Sequence, residues 1–107
     1  FPAVVHPVVI AHPETDRPTL YVNRIFTTRI LGLPEAESDE LLRYLCDQAA
    51  IPEYQCRFRW TPGSVAFWDN LATQHYATSD YFPATRVMER VSIVGTARPT
   101  RAHRGTR

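Results

Sequence analysis

Short β-branched and aromatic runs broken by proline and glycine alternate along this chain, and one stretch departs from them with a helical period. Ala3-Val4-Val5 and Val8-Val9-Ile10, punctuated by Pro2 and Pro7, suit an edge or bulged strand. The cluster from His12 to Pro18 reads as a turn, and Thr19 to Asn23 as a strand returning from it in a hairpin. Between Pro34 and Pro52 the period changes. Leu41, Leu42, Leu45 and Ala49 form one stripe, while Glu35, Glu37, Asp39 and Glu40 load the first turns with negative charge. This predicts an amphipathic helix ended by Pro52. Tyr54 to Trp60, Val65 to Trp68, a segment around His75, and Thr85 to Val94 follow as further short runs, with a turn at Thr61-Pro62-Gly63. Many short strands with one or two helices predict a mainly β fold, a sandwich or jelly-roll barrel with a helical excursion.

At 107 residues and 44% hydrophobic content the chain is the size of one small globular domain. No apolar run reaches membrane-spanning length, and Phe1 to Val9 lacks the pattern of a signal peptide, so a cytoplasmic location without a membrane partner is expected. Cys46 and Cys56 have no metal-type spacing and read as free buried thiols in a reducing compartment. All twelve basic side chains are arginine, and Arg98, Arg101, Arg104 and Arg107 crowd the end. Removing those four takes the formal charge from +1 to −3. Residues 98–107 therefore read as a solvated Arg-rich tail. No aromatic residue interleaves its arginines to stack on bases, so no nucleic-acid partner is expected.

The richest chemistry lies between Trp68 and Arg90. His75 offers a neutral imidazole, the commonest protein ligand for iron, zinc and copper. Arg86 and Arg90 offer planar forks that bind carboxylate or sulfonate oxygens in pairs. In a strand, Arg86, Met88, Arg90 and Ser92 share one face, which spaces the two arginines on the order of 13 Å apart. If that face points into a barrel, both cations need anions; if it points outward, they are ordinary surface arginines.

The order His6-Pro7-Val8-Val9, His12-Pro13-Glu14-Thr15, Val22-Asn23, Phe26-Thr27-Thr28-Arg29, Phe58-Arg59-Trp60, Trp68-Asp69-Asn70, Gln74-His75-Tyr76-Ala77 and Arg86-Val87-Met88-Glu89-Arg90 resembles the C-terminal part of the taurine dioxygenase family. The resemblance runs from about Val5 to Gly95 and implies the C-terminal half of a double-stranded β-helix, a jelly-roll barrel, over residues 1–97. It also implies Fe(2+), 2-oxoglutarate as cosubstrate and dioxygen, with hydroxylation of the carbon next to a sulfonate or sulfate group. The products would be sulfite or sulfate, an aldehyde, succinate and CO2. On this resemblance His75 is the distal iron ligand, Arg86 pairs with the distal carboxylate of 2-oxoglutarate, Arg90 holds the anionic group of the substrate, and Phe26 lines its pocket. The Arg86 face then points inward, Trp68 and Asp69 support the site, and the full-length protein is expected to be a homo-oligomer.

The family takes its other two iron ligands from an H-x-D or H-x-E motif far upstream of the distal histidine, and no such region is present here. His12-Pro13-Glu14 has the right letters but matches the hairpin turn of the family. His6 reads as structural, and His103 falls in the tail. The chain is thus expected to supply one iron ligand of three and, lacking part of its core, to fold poorly alone. A non-catalytic anion-binding jelly roll and a dioxygenase of the same superfamily acting on a carboxylate remain as alternatives.

Overall fold

The computed structural model of the chain describes residues 3–78 and 87–103. Its sheet is built on a hairpin. Strand β1 (Val9–Ala11) pairs antiparallel with β2 (Pro18–Leu20) in the register Val9 to Leu20, Ile10 to Thr19 and Ala11 to Pro18. The turn between them closes through His12 N–H to the Arg17 carbonyl at 3.0 Å and Asp16 N–H to the His12 carbonyl at 2.8 Å. Asp16 takes φ 58°, a left-handed conformation that aspartate tolerates better than most residues. Pro18, which has no N–H to give, lies on the outer strand.

On the opposite edge of β1 runs β3 (Thr100–Arg101), with Ile10 facing Arg101 and Ala11 facing Thr100. Ala102 extends this pairing by donating its N–H to the Val9 carbonyl at 3.1 Å. Two expectations change here. The β1 segment is the middle strand and not an edge, because Pro2 and Pro7 both precede its paired residues. Part of the arginine-rich tail is sheet, because Thr100 to Ala102 answer the hydrogen-bonding groups on the free side of β1. Ile10, at the centre of the three strands, is fully buried.

Helix α1 (Glu35–Asp47) opens after Pro34, with Glu35 and Glu37 in its first turn where the helix dipole favours negative charge. One-turn 3₁₀ segments at Gln48–Ala50 and Pro52–Tyr54 carry the chain onward. The inward stripe differs from the leucine pattern. It runs through Ser38, Leu42, Leu45 and Cys46, at the i, i+4, i+7, i+8 spacing of a helix face, while Leu41 and Ala49 are exposed. Buried Ser38 is satisfied because its Oγ accepts the Ile30 N–H at 2.8 Å, which also ties the loop before the helix to α1. Cys46 is buried, and that burial raises the pKa of its thiol; Cys56 is exposed, contrary to expectation, and both are free.

The remaining expected strands have no partners among the described residues. Thr61-Pro62-Gly63 does turn as expected: Ser64 donates its N–H to the Thr61 carbonyl at 2.9 Å, and Gly63 supplies the positive φ of 82° that a type II turn requires. Beyond it, Val65 and Phe67 face solvent, and so do Val87, Val91, Ile93 and Val94. The described residues therefore form a three-stranded sheet and one α-helix, without a closed barrel. Among the described residues, 87–95 pair with no strand and Arg90 is exposed, while Arg86, which the expected inward face also carries, lies outside them.

The radius of gyration, 16.4 Å, exceeds the roughly 13 Å typical of a compact chain of this length. Among the described residues the buried apolar side chains are Ile10, Val22 and Cys46, too few for a core of ordinary size. None of the described helices is long and apolar enough to cross a membrane. Expressed by itself, the 107-residue chain is expected to bind a hydrophobic dye and to melt without a sharp transition. A cooperative calorimetric peak with no dye binding would show that its core is complete.

Candidate functional site

The segment leading to His75 is organised by one carboxylate. Asp69 Oδ1 accepts the Leu71 N–H at 2.8 Å and the Ala72 N–H at 3.4 Å, closing the turn that follows. Its backbone carbonyl accepts the Thr73 N–H at 2.9 Å and the Thr73 hydroxyl at 2.6 Å. Its other carboxylate oxygen, Oδ2, reaches 57 residues back along the sequence to His12 Nε2 at 2.7 Å. These hydrogen bonds, that from His12 first and that from Leu71 next, hold the Asp69 carboxyl below the usual carboxylate range.

The protonation of His12 follows from its other neighbours. Nδ1 accepts the backbone N–H groups of Glu14 at 3.2 Å and Thr15 at 3.4 Å, and a backbone N–H can only donate. Nδ1 must therefore be unprotonated, which puts the proton on Nε2, pointed at Asp69. With one nitrogen accepting and the other donating, His12 has no lone pair left for a metal. The His12-Pro13-Glu14 triplet is thus a turn and a bridge to Asp69.

Two further contacts set the surroundings of His75. Trp68 donates its indole N–H to Asn70 Oδ1 at 2.8 Å, which fixes the ring, and that ring lies 4.9 Å from the His75 imidazole, tilted by 43°. Gln74, the residue before His75, donates from Nε2 to the Val22 carbonyl at 2.7 Å. Val22 is buried and leads directly into a tight turn. There Asn23 Oδ1 accepts the N–H groups of Ile25 at 2.8 Å and Phe26 at 3.3 Å, and Thr27 Oγ1 accepts the Asn23 N–H at 2.9 Å. This turn presents Phe26 at the surface, 81% exposed.

Of the residues singled out in the sequence, His75 and Phe26 are thus linked through Gln74, Val22 and the Asn23 turn. Arg90 is exposed on the unpaired segment 87–95, and Arg86 lies outside the described residues. Two surface depressions, one beside Pro7 to Val9 and His103 and one between Thr28 to Leu33 and the start of α1, take in neither His75 nor Phe26 nor Arg90. His6 packs edge-on against Tyr21, in line with a structural role. The bridging function of His12 and the anchoring function of Gln74 were not visible in the sequence, because each joins positions more than fifty residues apart. Only the joint presence of the His12 turn and the Trp68-Asp69-Asn70 triplet hinted at the first.

As a metal centre the arrangement is partial. His75 offers one exposed imidazole, a suitable nitrogen donor for iron(II). No group of three His, Cys, Asp or Glu side chains able to hold a metal ion occurs among the described residues. These residues fit iron as the source of one donor, not as a full coordination shell.

Residues 1–92 match the family described as Taurine catabolism dioxygenase TauD, TfdA family. The chain belongs to this family. Among curated relatives, an alkylsulfatase of Acinetobacter baylyi is 40% identical over 90 residues, covering 84% of the chain and 28% of the relative. An alpha-ketoglutarate-dependent sulfate ester dioxygenase of Pseudomonas putida is 41% identical over 90 residues, covering 84% of the chain and 30% of the relative. An (S)-phenoxypropionate/alpha-ketoglutarate-dioxygenase of Sphingobium herbicidovorans is 37% identical over 94 residues, covering 88% and 32%. The chain spans about three-tenths of the length of these TauD/TfdA relatives.

Replacing Asp69 with Asn would place an amide NH2 or a rotated turn opposite His12 Nε2–H and is expected to destabilise the protein by about 0.5–1.5 kcal/mol, a small value because Asp69 is half exposed. Because the folded-state pKa of Asp69 is lowered, its stabilisation is complete above the ordinary carboxylate value of about 4 and is lost as pH falls through the lower folded value. The melting-temperature gap between the unsubstituted protein and Asp69→Asn should therefore be constant near neutrality and close below about pH 4. A gap that persisted unchanged in acid would contradict the bridge.

Proposed function

We propose that this chain is the C-terminal part of an iron(II)- and 2-oxoglutarate-dependent dioxygenase that hydroxylates the carbon next to a sulfonate or sulfate ester group. The observation that carries the reading is the family match over residues 1–92; on the resemblance of the motifs around them, His75 would be the distal iron ligand and Arg86 and Arg90 the two anion-binding arginines. Relatives named for sulfate ester and alkyl sulfate chemistry support the substrate class. Residues 1–97 would complete a jelly-roll domain whose other strands, and whose H-x-D or H-x-E ligands, lie outside these 107 residues. Residues 98–107 would be its C-terminal tail, folded back onto β1 as far as Ala102. The full-length protein would act in the cytoplasm, where its free thiols are stable, as a homo-oligomer.

When bound, iron(II) supplies dioxygen activation coupled to the oxidative decarboxylation of 2-oxoglutarate to succinate and CO2. The chain's own part is positioning. His75 gives one nitrogen to the metal. Arg86 takes the distal carboxylate of 2-oxoglutarate in a two-pronged hydrogen bond, and Arg90 takes the sulfonate or sulfate oxygens. Each arginine fixes an anion away from the metal, so that the carbon to be oxidised is held in one geometry. Phe26 adds an apolar wall against the organic part of the substrate. The hydroxylated carbon then carries both a hydroxyl and a sulfur-bearing leaving group, and collapse to the aldehyde expels sulfite or sulfate.

A carboxylate substrate is the second reading, favoured by the similarity to a relative named for phenoxypropionate. Arg90 suits either anion, since both present paired oxygens.

Arg86→Ala in the full-length protein should weaken 2-oxoglutarate binding about 10- to 150-fold, the loss of roughly 1.5–3 kcal/mol for a charge-assisted contact, with little change for the prime substrate. Arg90→Ala should weaken the sulfonate or sulfate ester instead and uncouple succinate formation from product release. Anaerobic titration with iron(II) and 2-oxoglutarate, followed by a screen for sulfite and sulfate release, measures both. No visible absorption band on adding the two together would count against the dioxygenase, and weakening of one and the same ligand by both variants would overturn the assignment of the arginines.

A further inference from the structure

His75 lies in a segment with no strand pairing, yet two hydrogen bonds tie its neighbours to the β1–β2 hairpin from opposite ends. His12, in the hairpin turn, holds Asp69 at 2.7 Å, and Asp69 closes the turn that follows it and directly succeeds Trp68, whose ring lies against His75. Val22, just after β2, accepts the Gln74 amide at 2.7 Å, one residue from His75. We infer that His12 and Gln74 are positioning residues for the His75 imidazole, the first acting through Asp69 and the Trp68 ring, the second through the backbone.

The physical case rests on what each bond restricts. An exposed imidazole on unpaired backbone can rotate about two side-chain torsions and swing with its segment, and each freedom must be lost when a metal is bound. The Trp68 ring, itself pinned by Asn70, limits the imidazole on one side. The Gln74 bond limits the backbone on the other. Among the described residues neither His12 nor Asp69 has a hydrogen bond to His75, so their effect passes through the Asp69 backbone and the neighbouring indole. Outer contacts that orient a metal ligand commonly change affinity 10- to 100-fold. Because Val22 leads into the turn that presents Phe26, the Gln74 bond also holds the substrate-side aromatic in register with the ligand.

The inference rests on the reading of His75 as an iron ligand, and the two can be tested apart. The two nitrogens of His12 do different work, which permits a selective substitution. In the full-length protein, His12→Asn keeps an acceptor near the Nδ1 position for the Glu14 and Thr15 amides but is too short to reach Asp69. His12→Gln keeps a donor near the Nε2 position and loses the acceptor for the turn. Gln74→Glu sets a carboxylate against the Val22 carbonyl without changing size.

Metal-free protein labelled with ¹⁵N-histidine gives the His75 ring signals, assigned by their loss in His75→Gln, and these are shifted by the Trp68 ring current. His12→Asn and Gln74→Glu should each move them, and His12→Gln should restore them. Iron(II) affinity should fall about 10-fold in the first two variants and recover in His12→Gln. A merely structural role in the hairpin turn predicts the reverse order, with His12→Asn the milder change. If the unsubstituted protein binds iron(II) and both disruptive variants leave affinity and His75 signals unmoved, the positioning inference is wrong while the dioxygenase reading stands. Should the unsubstituted protein bind no iron(II), that reading fails, and the metal-free signals still decide the positioning role, which unmoved signals would sink. Should His12→Asn fail to fold, Gln74→Glu decides by the same two readouts.

Discussion

The Asp69 carboxylate faces in two directions, and the local order around His75 depends on that division. A carboxylate has lone pairs for about four hydrogen bonds on two oxygens, so one oxygen can close a turn while the other reaches a distant partner. Here Oδ1 takes the amides of its own turn and Oδ2 takes the His12 proton. The direction of that proton is forced by the Glu14 and Thr15 amides, which occupy the other imidazole nitrogen. A hairpin turn and a turn 57 residues later are thus joined by groups whose donor and acceptor roles are each fixed by their own backbone.

This polar tie carries more of the organisation than is usual, because little apolar surface is buried. Ile10 and Val22 are the buried aliphatic side chains of the described residues, and both lie on the hairpin unit. Ala102 on one side of β1 and Gln74 at the Val22 carbonyl are both hydrogen-bonded to that unit. Among the described residues, segment 87–95 has no strand partner and exposes valine and isoleucine side chains that a jelly roll would bury. The hairpin is therefore the platform of this part of the fold, and helix α1 is attached to its exit through the Arg24–Asp47 ion pair and to the loop before α1 through Ser38.

What could be read in the sequence follows the range of the interactions involved. The hairpin turn, the Thr61–Ser64 turn and the helix start at Pro34 are set by residues within four or five positions, and each formed where the pattern indicated. The face that α1 buries departs from the leucine pattern at Leu41, because the loop preceding the helix supplies the Ile30 N–H, which Ser38 accepts from the buried side. β1 is internal rather than at the edge because its second partner comes from residues 100–101, about ninety positions away. The residue types of the site were legible through family resemblance. Their mutual support was not, because hydrogen bonds spanning 52 and 57 residues leave no local periodicity.

The exposure of the apolar segments bears on how the proposed site would bind anions. An arginine fully open to water gains little from pairing with a carboxylate or sulfonate, because solvent and salt screen the attraction. The same pair becomes strong only where surrounding apolar groups exclude water and the anion's remaining oxygens are satisfied. Arg90 is exposed, and its neighbours Val87, Val91 and Ile93 are exposed with it. Phe26 is exposed in the same way on its own turn. Burying these side chains against the remaining strands of a jelly roll would lower the local dielectric around the arginine in the same step that completes the core. On the proposed reading, substrate affinity and fold completion are then coupled. The hairpin fixes where His75 stands before that step, and the closing of the barrel would decide how strongly the arginines hold their anions.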